Sequence, residues 1–396
     1  MRRIGVQAGY SLSIGCRFSD HISHGDTALP KLITEHGEAD KAVQPSPDLR
    51  ANTLSSHVAP QVSVLMAVYN GETHLGEAIA SILSQTYSRF EFIIVDDGST
   101  DSTAAILSAS MNRDKRIIVH SSVQNVGLGC SLNKGFQNST GAFIARMDAD
   151  DISTYARLTK QVQFMQQHPE IGVCGTWTKD MVTGKIERWP PTDDATIRCT
   201  MLFHTALAHP TVMIRRSVLE ETGLRYNPEF RQSQDYELWT KLAPYTRFAN
   251  IPEPLLLRRS HSAQTSTRHR TEQETRARQV RLLNIDRLGL TPDVHEEEVH
   301  HRLAQRKPLP TKEFVCAARE WLLRLRAANQ TASIYSEPAM SAVLATHWFR
   351  TCRHAVQLGW WSWQTFWSSP LSTHANLTST TKLKFAALAA RHGFHS

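Results

Sequence analysis

Apolar and polar positions alternate between a strand period and a helical one along the first half of the chain, and that alternation lays out a fold. Residues 1–60 have no sustained period. Ser, His, Gly, Asp and Pro dominate there, which predicts a disordered extension. Order begins at Gln61. Val62-Ser63-Val64-Leu65-Met66-Ala67-Val68-Tyr69 is a β-rich run closed by the turn pair Asn70-Gly71. Leu75, Ala78, Ile79, Ile82 and Leu83 then recur at helical spacing. Phe90-Glu91-Phe92-Ile93-Ile94-Val95 is a second strand, stopped by Asp96-Asp97-Gly98-Ser99. Ile106 and Leu107 belong to a helix, and Arg116-Ile117-Ile118-Val119 to a third strand. A loop follows at 124–129, a helix at 132–136 and a fourth strand at 142–147. Strands alternating with helices in this way predict an α/β fold, a doubly wound and mostly parallel central sheet with right-handed crossovers.

Beyond Asp151 a helix is expected over 158–167, ending before Pro169, and a strand over 171–176. Short strands and helices mix over 204–240, and Leu255-Leu256-Leu257 reads as an apolar strand. From about residue 272 the sequence turns charged and helical. The expected organisation is an extension at 1–60, a sheet domain at 61–270 and a helical C-terminal region at 271–396. Five of the nine tryptophans fall within 348–367, beside Arg350, Arg353 and His354. Such a segment suits either a membrane interface or an aromatic core between helices.

Charge and cysteine content narrow the partners. Across 396 residues, 44 Lys and Arg outnumber 37 Asp and Glu, for a net charge of +7. That balance favours an anionic partner, a nucleotide, a lipid headgroup surface or nucleic acid, and charge alone does not choose among them. The six cysteines form no C-x-x-C pair and read as buried thiols of a cytosolic protein. No run reaches the roughly 18 consecutive apolar residues of a membrane span. No apolar signal core follows Met1-Arg2-Arg3, so a cytoplasmic location is expected.

The chemistry concentrates at strand ends. Arg146-Met147-Asp148-Ala149-Asp150-Asp151 sets three carboxylates directly after a buried strand. Hard cations such as Mg²⁺ and Mn²⁺ prefer oxygen ligands, and ligands bind beyond the carboxyl ends of strands in open α/β sheets. A solvated acidic turn or a helix cap is the plainer reading. Asp96 and Asp97 end another strand, where carboxylates can accept from a base or a ribose, or simply build an Asp-Gly turn. Asp235, in Gln234-Asp235-Tyr236-Glu237-Leu238-Trp239, is either a helix cap or a general base. Arg258, Arg259 and His261 suit a diphosphate or a third metal ligand, or form a solvated basic loop. Gly127, Gly129 and Gly135 lack the dinucleotide spacing.

Together these segments resemble the family 2 glycosyltransferases, inverting nucleotide-sugar enzymes of the GT-A fold. The resemblance runs from the opening strand at 62–72 through Asp96-Asp97-Gly98-Ser99, Asn125-Val126-Gly127 and Asp148-Ala149-Asp150. It continues through His209-Pro210-Thr211 and Asp235-Tyr236-Glu237-Leu238-Trp239 to the closing segment at 261–266. Gln234 stands where the family often has Glu, and Ala67 where it often has Pro. The resemblance implies donor contacts at Ala67, Tyr69, Asp96, Asp97, Asn125, Gly127 and Asp148. It implies Mn²⁺ or Mg²⁺ on Asp150 and Asp148, with His261 as a further ligand, and Asp235 as the base. His209, Arg258 and Arg259 would face the acceptor or the diphosphate. A UDP-sugar donor is implied, with a glycan or lipid-linked acceptor in cell-surface polysaccharide or lipopolysaccharide synthesis. The Trp-rich, basic segment at 348–367 suggests a place at the inner face of the plasma membrane, and no nucleic-acid partner is expected. Two other readings stand beside it: a haloacid-dehalogenase-like phosphotransferase and a non-catalytic nucleotide-sugar-binding module.

Overall fold

The apolar runs that begin at Val62 and Phe90 are buried almost end to end, as strands covered on both faces must be. In the computed structural model, which describes residues 60–188, 190–259 and 270–393, they are neighbouring parallel strands. The chain runs β1 (Val62–Val68), α1 (Leu75–Leu83), β2 (Phe90–Asp96), α2 (Thr103–Arg113), β3 (Ile117–Ser121), α3 (Leu128–Gln137) and β4 (Phe143–Asp148). It continues with β5 (Ile152–Ser153), α4 (Arg157–Gln167), β6 (Ile171–Asp180), β7 (Ile186–Arg188), α5 (Asp194–Thr200), β8 (Met213–Arg215), α6 (Arg216–Thr222), α7 (Gln234–Leu242) and β9 (Arg247–Arg258). Six α-helices follow among the described residues: α8 (Arg270–Asp286), α9 (Val294–Ala304), α10 (Lys312–Ala332), α11 (Ala339–His354), α12 (Trp360–Ser368) and α13 (Ser379–Gly393).

The sheet order is β3-β2-β1-β4-β8-β6-β9-β5, with β7 paired to β6. The first four strands are parallel. Beyond them β8 is antiparallel to both β4 and β6, so the sheet is mixed rather than uniformly wound. Parallel register brings the strand ends together. Ala67 lies opposite both Val95 and Asp148, and Val68 lies opposite Asp96.

Alternation along β1 splits the interior. Val62, Val64, Met66 and Val68 join Leu75, Ile79 and Ile82 of α1 and Leu158, Val162 and Met165 of α4. Leu65 faces the other way, with Ile93, with Leu132 and Phe136 of α3, and with Leu238 and Trp239 of α7. Each such side chain contributes about 1.5–3 kcal/mol on burial, so both helix layers clamp the strands whose ends carry the carboxylates.

The helices after residue 270 build a third core around Trp321, Leu322, Leu325, Trp348 and Phe366, and Cys199, Leu202 and Phe203 join it from the sheet region. The tryptophan-rich segment therefore divides. Trp348 is core, with its indole N–H donated to the Phe366 carbonyl at 3.2 Å, whereas Trp360 and Trp367 of α12 face outward. Among the described cysteines, Cys174, Cys199 and Cys352 are buried, and none is paired. Burial pushes the thiols of Cys174 and Cys199 up to about 12, which makes them unreactive. No helix among the described residues is long and apolar enough to cross a membrane.

Candidate active site

Three loops meet at the carboxyl edge of the parallel strands, and short polar side chains tie them together. After β1, Asn70 adopts φ 51°, a left-handed conformation that Asn tolerates. Its side-chain oxygen accepts the Thr100 N–H at 2.8 Å, and its own N–H donates to Ser99 Oγ at 3.0 Å. Glu72 and Asp101 exchange backbone bonds across the same gap: Glu72 N–H reaches Asp101 Oδ2, and Ser102 N–H reaches Glu72 Oε2, each at 3.0 Å. Asp101 also accepts from Thr103 N–H at the start of α2. Tyr69, 51% exposed, is left standing on this edge.

Asp96 and Asp97 are both buried. Asp96 Oδ1 accepts the Ser99 N–H at 3.0 Å and closes the turn. Asp97 reaches further. Its two oxygens accept the N–H groups of Val126 and Gly127 at 3.0 and 2.9 Å, which fixes the loop holding exposed Asn125 against the strand end. Gly98 permits the approach: at φ +77°, an added Cβ would fall 2.7 Å from the Gln124 carbonyl carbon. Gly127, at φ +95°, begins α3 with open space around it, and Gly135 packs on Val95 and Leu65. Backbone donors thus engage both carboxylates and fix them at the strand end.

Beyond β4, carboxylate oxygens of Asp148, Asp150 and Asp151 all lie within 4.8 Å of one another. Two buried arginines lie behind them. Arg146 pairs with Asp148. Arg157 of α4 donates to the Arg146 carbonyl at 2.6 Å, to Ser153 Oγ at 3.0 Å and to Gln161 at 3.0 Å. Three carboxylates thus face two guanidiniums. Burial, partly offset by Arg146 and reinforced by Asp150, holds the Asp148 carboxyl above its ordinary range. Burial and the charges of Asp148 and Asp150 push Asp151 up to about 8, although Arg259 N–H donates to its Oδ1 at 3.0 Å. Mutual repulsion of this kind is what a hard divalent cation relieves, so the donor set fits one.

Arg259 also grips the acidic turn through Nε to the Asp150 carbonyl at 3.1 Å, and it ties that turn to α1 through an ion pair with Glu77 at 2.5 Å. Arg258, at the end of β9, lies 3.4 Å from Glu187, and its charge acts on Asp148. His261 lies outside the described residues.

The second half of the site converges on Tyr226. Its hydroxyl and His209 Nε2 are 2.8 Å apart, and Asn133 of α3 brackets its backbone with bonds of 2.8 and 3.1 Å. Burial and the nearby Arg146 charge hold His209 well below its usual value, so it is neutral. Burial raises the Tyr226 phenol, Arg146 opposes this, and Asp235 and Asp148 both reinforce it. One phenol therefore senses carboxylates from both halves of the site. Asp235, half-buried, sits in the first turn of α7 after Ser233 at φ 56°. Glu237 is buried and paired with Lys241 one turn on, so it is not placed to replace Asp235. Sequence reasoning gave no role to Tyr226, Arg157 or Arg146. The signal for the arginines was a charged residue inside an otherwise apolar strand or helix face.

Comparison with known proteins accords with this geometry. The family description "Glycosyl transferase family 2" matches residues 63–223. An uncharacterised glycosyltransferase of Haemophilus influenzae is 33% identical over 238 residues, covering 57% of this chain and 73% of its own length. The chain belongs to glycosyltransferase family 2. The O-antigen biosynthesis glycosyltransferase WbnJ of Escherichia coli is 32% identical over 221 residues, covering 54% of this chain and 84% of its own. Among solved structures, S. aureus TarS 1-349 in complex with UDP-GlcNAc aligns with a TM-score of 0.51 at 16% identity, over 79% of this chain and 90% of that one. The family 2 chain has the GT-A fold, and the phosphotransferase reading falls with it.

Proposed function

We propose that this chain transfers a sugar from a nucleotide-diphosphate donor, with UDP-sugars the first candidates, to a hydroxyl of a glycan or lipid-linked acceptor, in cell-surface polysaccharide or lipopolysaccharide synthesis. The observation that carries the reading is the convergence of Asp148, Asp150 and Asp151 within 4.8 Å, beside the neighbouring ends of β1 and β2. Similarity to the O-antigen enzyme supports the pathway class. In this reading Tyr69, Asp96 and Asp97 flank the nucleoside, with Ala67, Asn125 and Gly127 lining the same edge. Each Asp97 oxygen keeps a lone pair beyond its backbone bond. Asp150 and Asp148 would hold Mn²⁺ or Mg²⁺, which supplies neutralising charge to the diphosphate. Arg258 and Arg259 add positive charge at the same end. Asp235 accepts the proton of the acceptor hydroxyl as that oxygen bonds to the anomeric carbon. The bond from that carbon to the diphosphate oxygen breaks, the nucleoside diphosphate leaves with the electron pair, and the configuration inverts. His209 and Tyr226 bound the acceptor side.

The test is incubation with a panel of nucleotide sugars and Mn²⁺, with release of nucleoside diphosphate as the readout. One donor should raise the melting temperature and be turned over. A donor that binds without any turnover, with candidate acceptors present, would instead support the non-catalytic binding module. The domain division at 270/271 is part of the same proposal.

A further inference from the structure

The C-terminal helices carry exposed aromatic and basic side chains to which the proposed sugar transfer assigns no task. Residues 338–396 contain no Asp or Glu, yet hold five Lys or Arg and five of the nine tryptophans. On α12, Trp360, Trp363 and Trp367 recur along one side, their rings edge to face at 6.4 and 5.5 Å. The outer two are 45% and 39% exposed, unlike the buried Trp348. Lys382 of α13 lies 5.5 Å from the Trp367 ring centre. Next to it Leu383 is 71% exposed. Further along α13, Lys384 and Arg391 join Arg353 of α11 around an open cavity of about 360 Å³, whose remaining lining is Ala387 and Leu388. No ion pair among the described residues uses these three cations.

We propose that α12 and α13 dock on an anionic lipid bilayer through these side chains, with Arg353 of α11 beside them. Indole rings are favoured at headgroup depth, and helices with an aromatic side edged by Lys and Arg lie flat in that interface. The cations match a surface of uniform negative sign. A protein partner would more usually meet both signs of charge at the rim and few charges at the centre. The segment 348–367 suits a membrane interface or an aromatic core; Trp348 belongs to the core, so the proposed contact uses α12 and α13.

The experiment is flotation of the full chain with vesicles of phosphatidylcholine alone and of phosphatidylcholine mixed with phosphatidylglycerol. The chain should float with the anionic vesicles, remain below with the neutral ones, and be released by concentrated salt. R353Q/K384Q/R391Q should lower partitioning on the order of 100-fold, from the attraction of three cations. W360S/W367S should lower it as well, while exchange of the exposed cations at Arg113 and Lys115 for Gln should leave it unchanged. Melting curves check that each variant is folded. The proposal is overturned if the wild type stays soluble on anionic vesicles, floats equally on both kinds, or is matched by the folded triple variant. No donor, metal or acceptor enters this assay, so its failure leaves the proposed reaction untouched.

Discussion

Asp97 links two residue-scale events, since each carboxylate oxygen accepts one backbone N–H of the loop at 126–127. Asp97→Asn would set an amide donor against one of those N–H groups. The unmade bond is expected to destabilise the fold by about 1–3 kcal/mol. Denaturant midpoints without ligand measure this, and an unchanged midpoint would leave Asp97 with a purely ligand-facing role. Asp235 carries the opposite expectation. Asp235→Asn keeps the shape of the side chain and most of its hydrogen-bonding capacity but cannot accept a proton. Transfer should fall by about 10²–10⁴-fold, the usual contribution of a general base, with donor affinity nearly unchanged. Single-turnover transfer at saturating donor decides it. A loss below about threefold would leave Asp235 as a first-turn carboxylate of α7, well short of the range for a base.

At the scale of elements, the site depends on how closely the turn after β2 approaches the loop before α3. Gly98 at φ +77° is the contact, and Gly98→Ala meets both an unfavourable backbone region and the Gln124 carbonyl carbon. A loss of at least about 1–2 kcal/mol is expected from the backbone alone, again read from the denaturation midpoint. A midpoint equal to wild type would mean that the loops separate freely. The parallel half of the sheet was legible in the sequence because β1, β2 and β4 are apolar runs, broken only by Ser63, Glu91 and Arg146, and stopped by Asn-Gly or Asp. The antiparallel part was not. β5 and β8 are two and three residues long and owe their strand state to distant partners rather than to local pattern. β9 carries Pro252 and Pro254, which normally argue against an interior strand, and the register shift beside Pro254 accommodates one of them. The acidic and Asp-Gly segments were legible as motifs. Tyr226 was not, because its place is set by Asn133 and His209, far away in sequence.

At the scale of the whole molecule, the helical region and the sheet region share an aromatic stack. Phe203, just after α5, lies between His300 of α9 and His347 of α11, with ring centres 4.8 and 3.8 Å away. Burial is the main force lowering both histidines, His300 to about 3 and His347 well below its usual value, with His204, Arg306 and Arg350 adding to the latter. These folded-state values lie below the unfolded value near 6.5, so the unfolded chain binds the extra protons. Their contribution to stability is complete above about pH 6.5 and is lost progressively toward pH 3. Asp151, raised to about 8, works in the opposite direction, so the total slope is not diagnostic. The difference between wild type and His347→Phe is diagnostic: the variant should lose less stability between pH 7 and pH 5, by up to about 1.4 kcal/mol per pH unit. Parallel curves would place the His347 ring in water.

The central claim is that the strand-end carboxylates bind a nucleoside diphosphate through a divalent cation. Calorimetric titration of the full chain with UDP and other nucleoside diphosphates, in Mn²⁺ and in excess EDTA, tests it most directly. One of them should bind in Mn²⁺, with that binding lost in EDTA and in Asp150→Ala and weakened in Asp148→Ala. Equal affinity in Mn²⁺ and EDTA, or undiminished binding by Asp150→Ala, would contradict it.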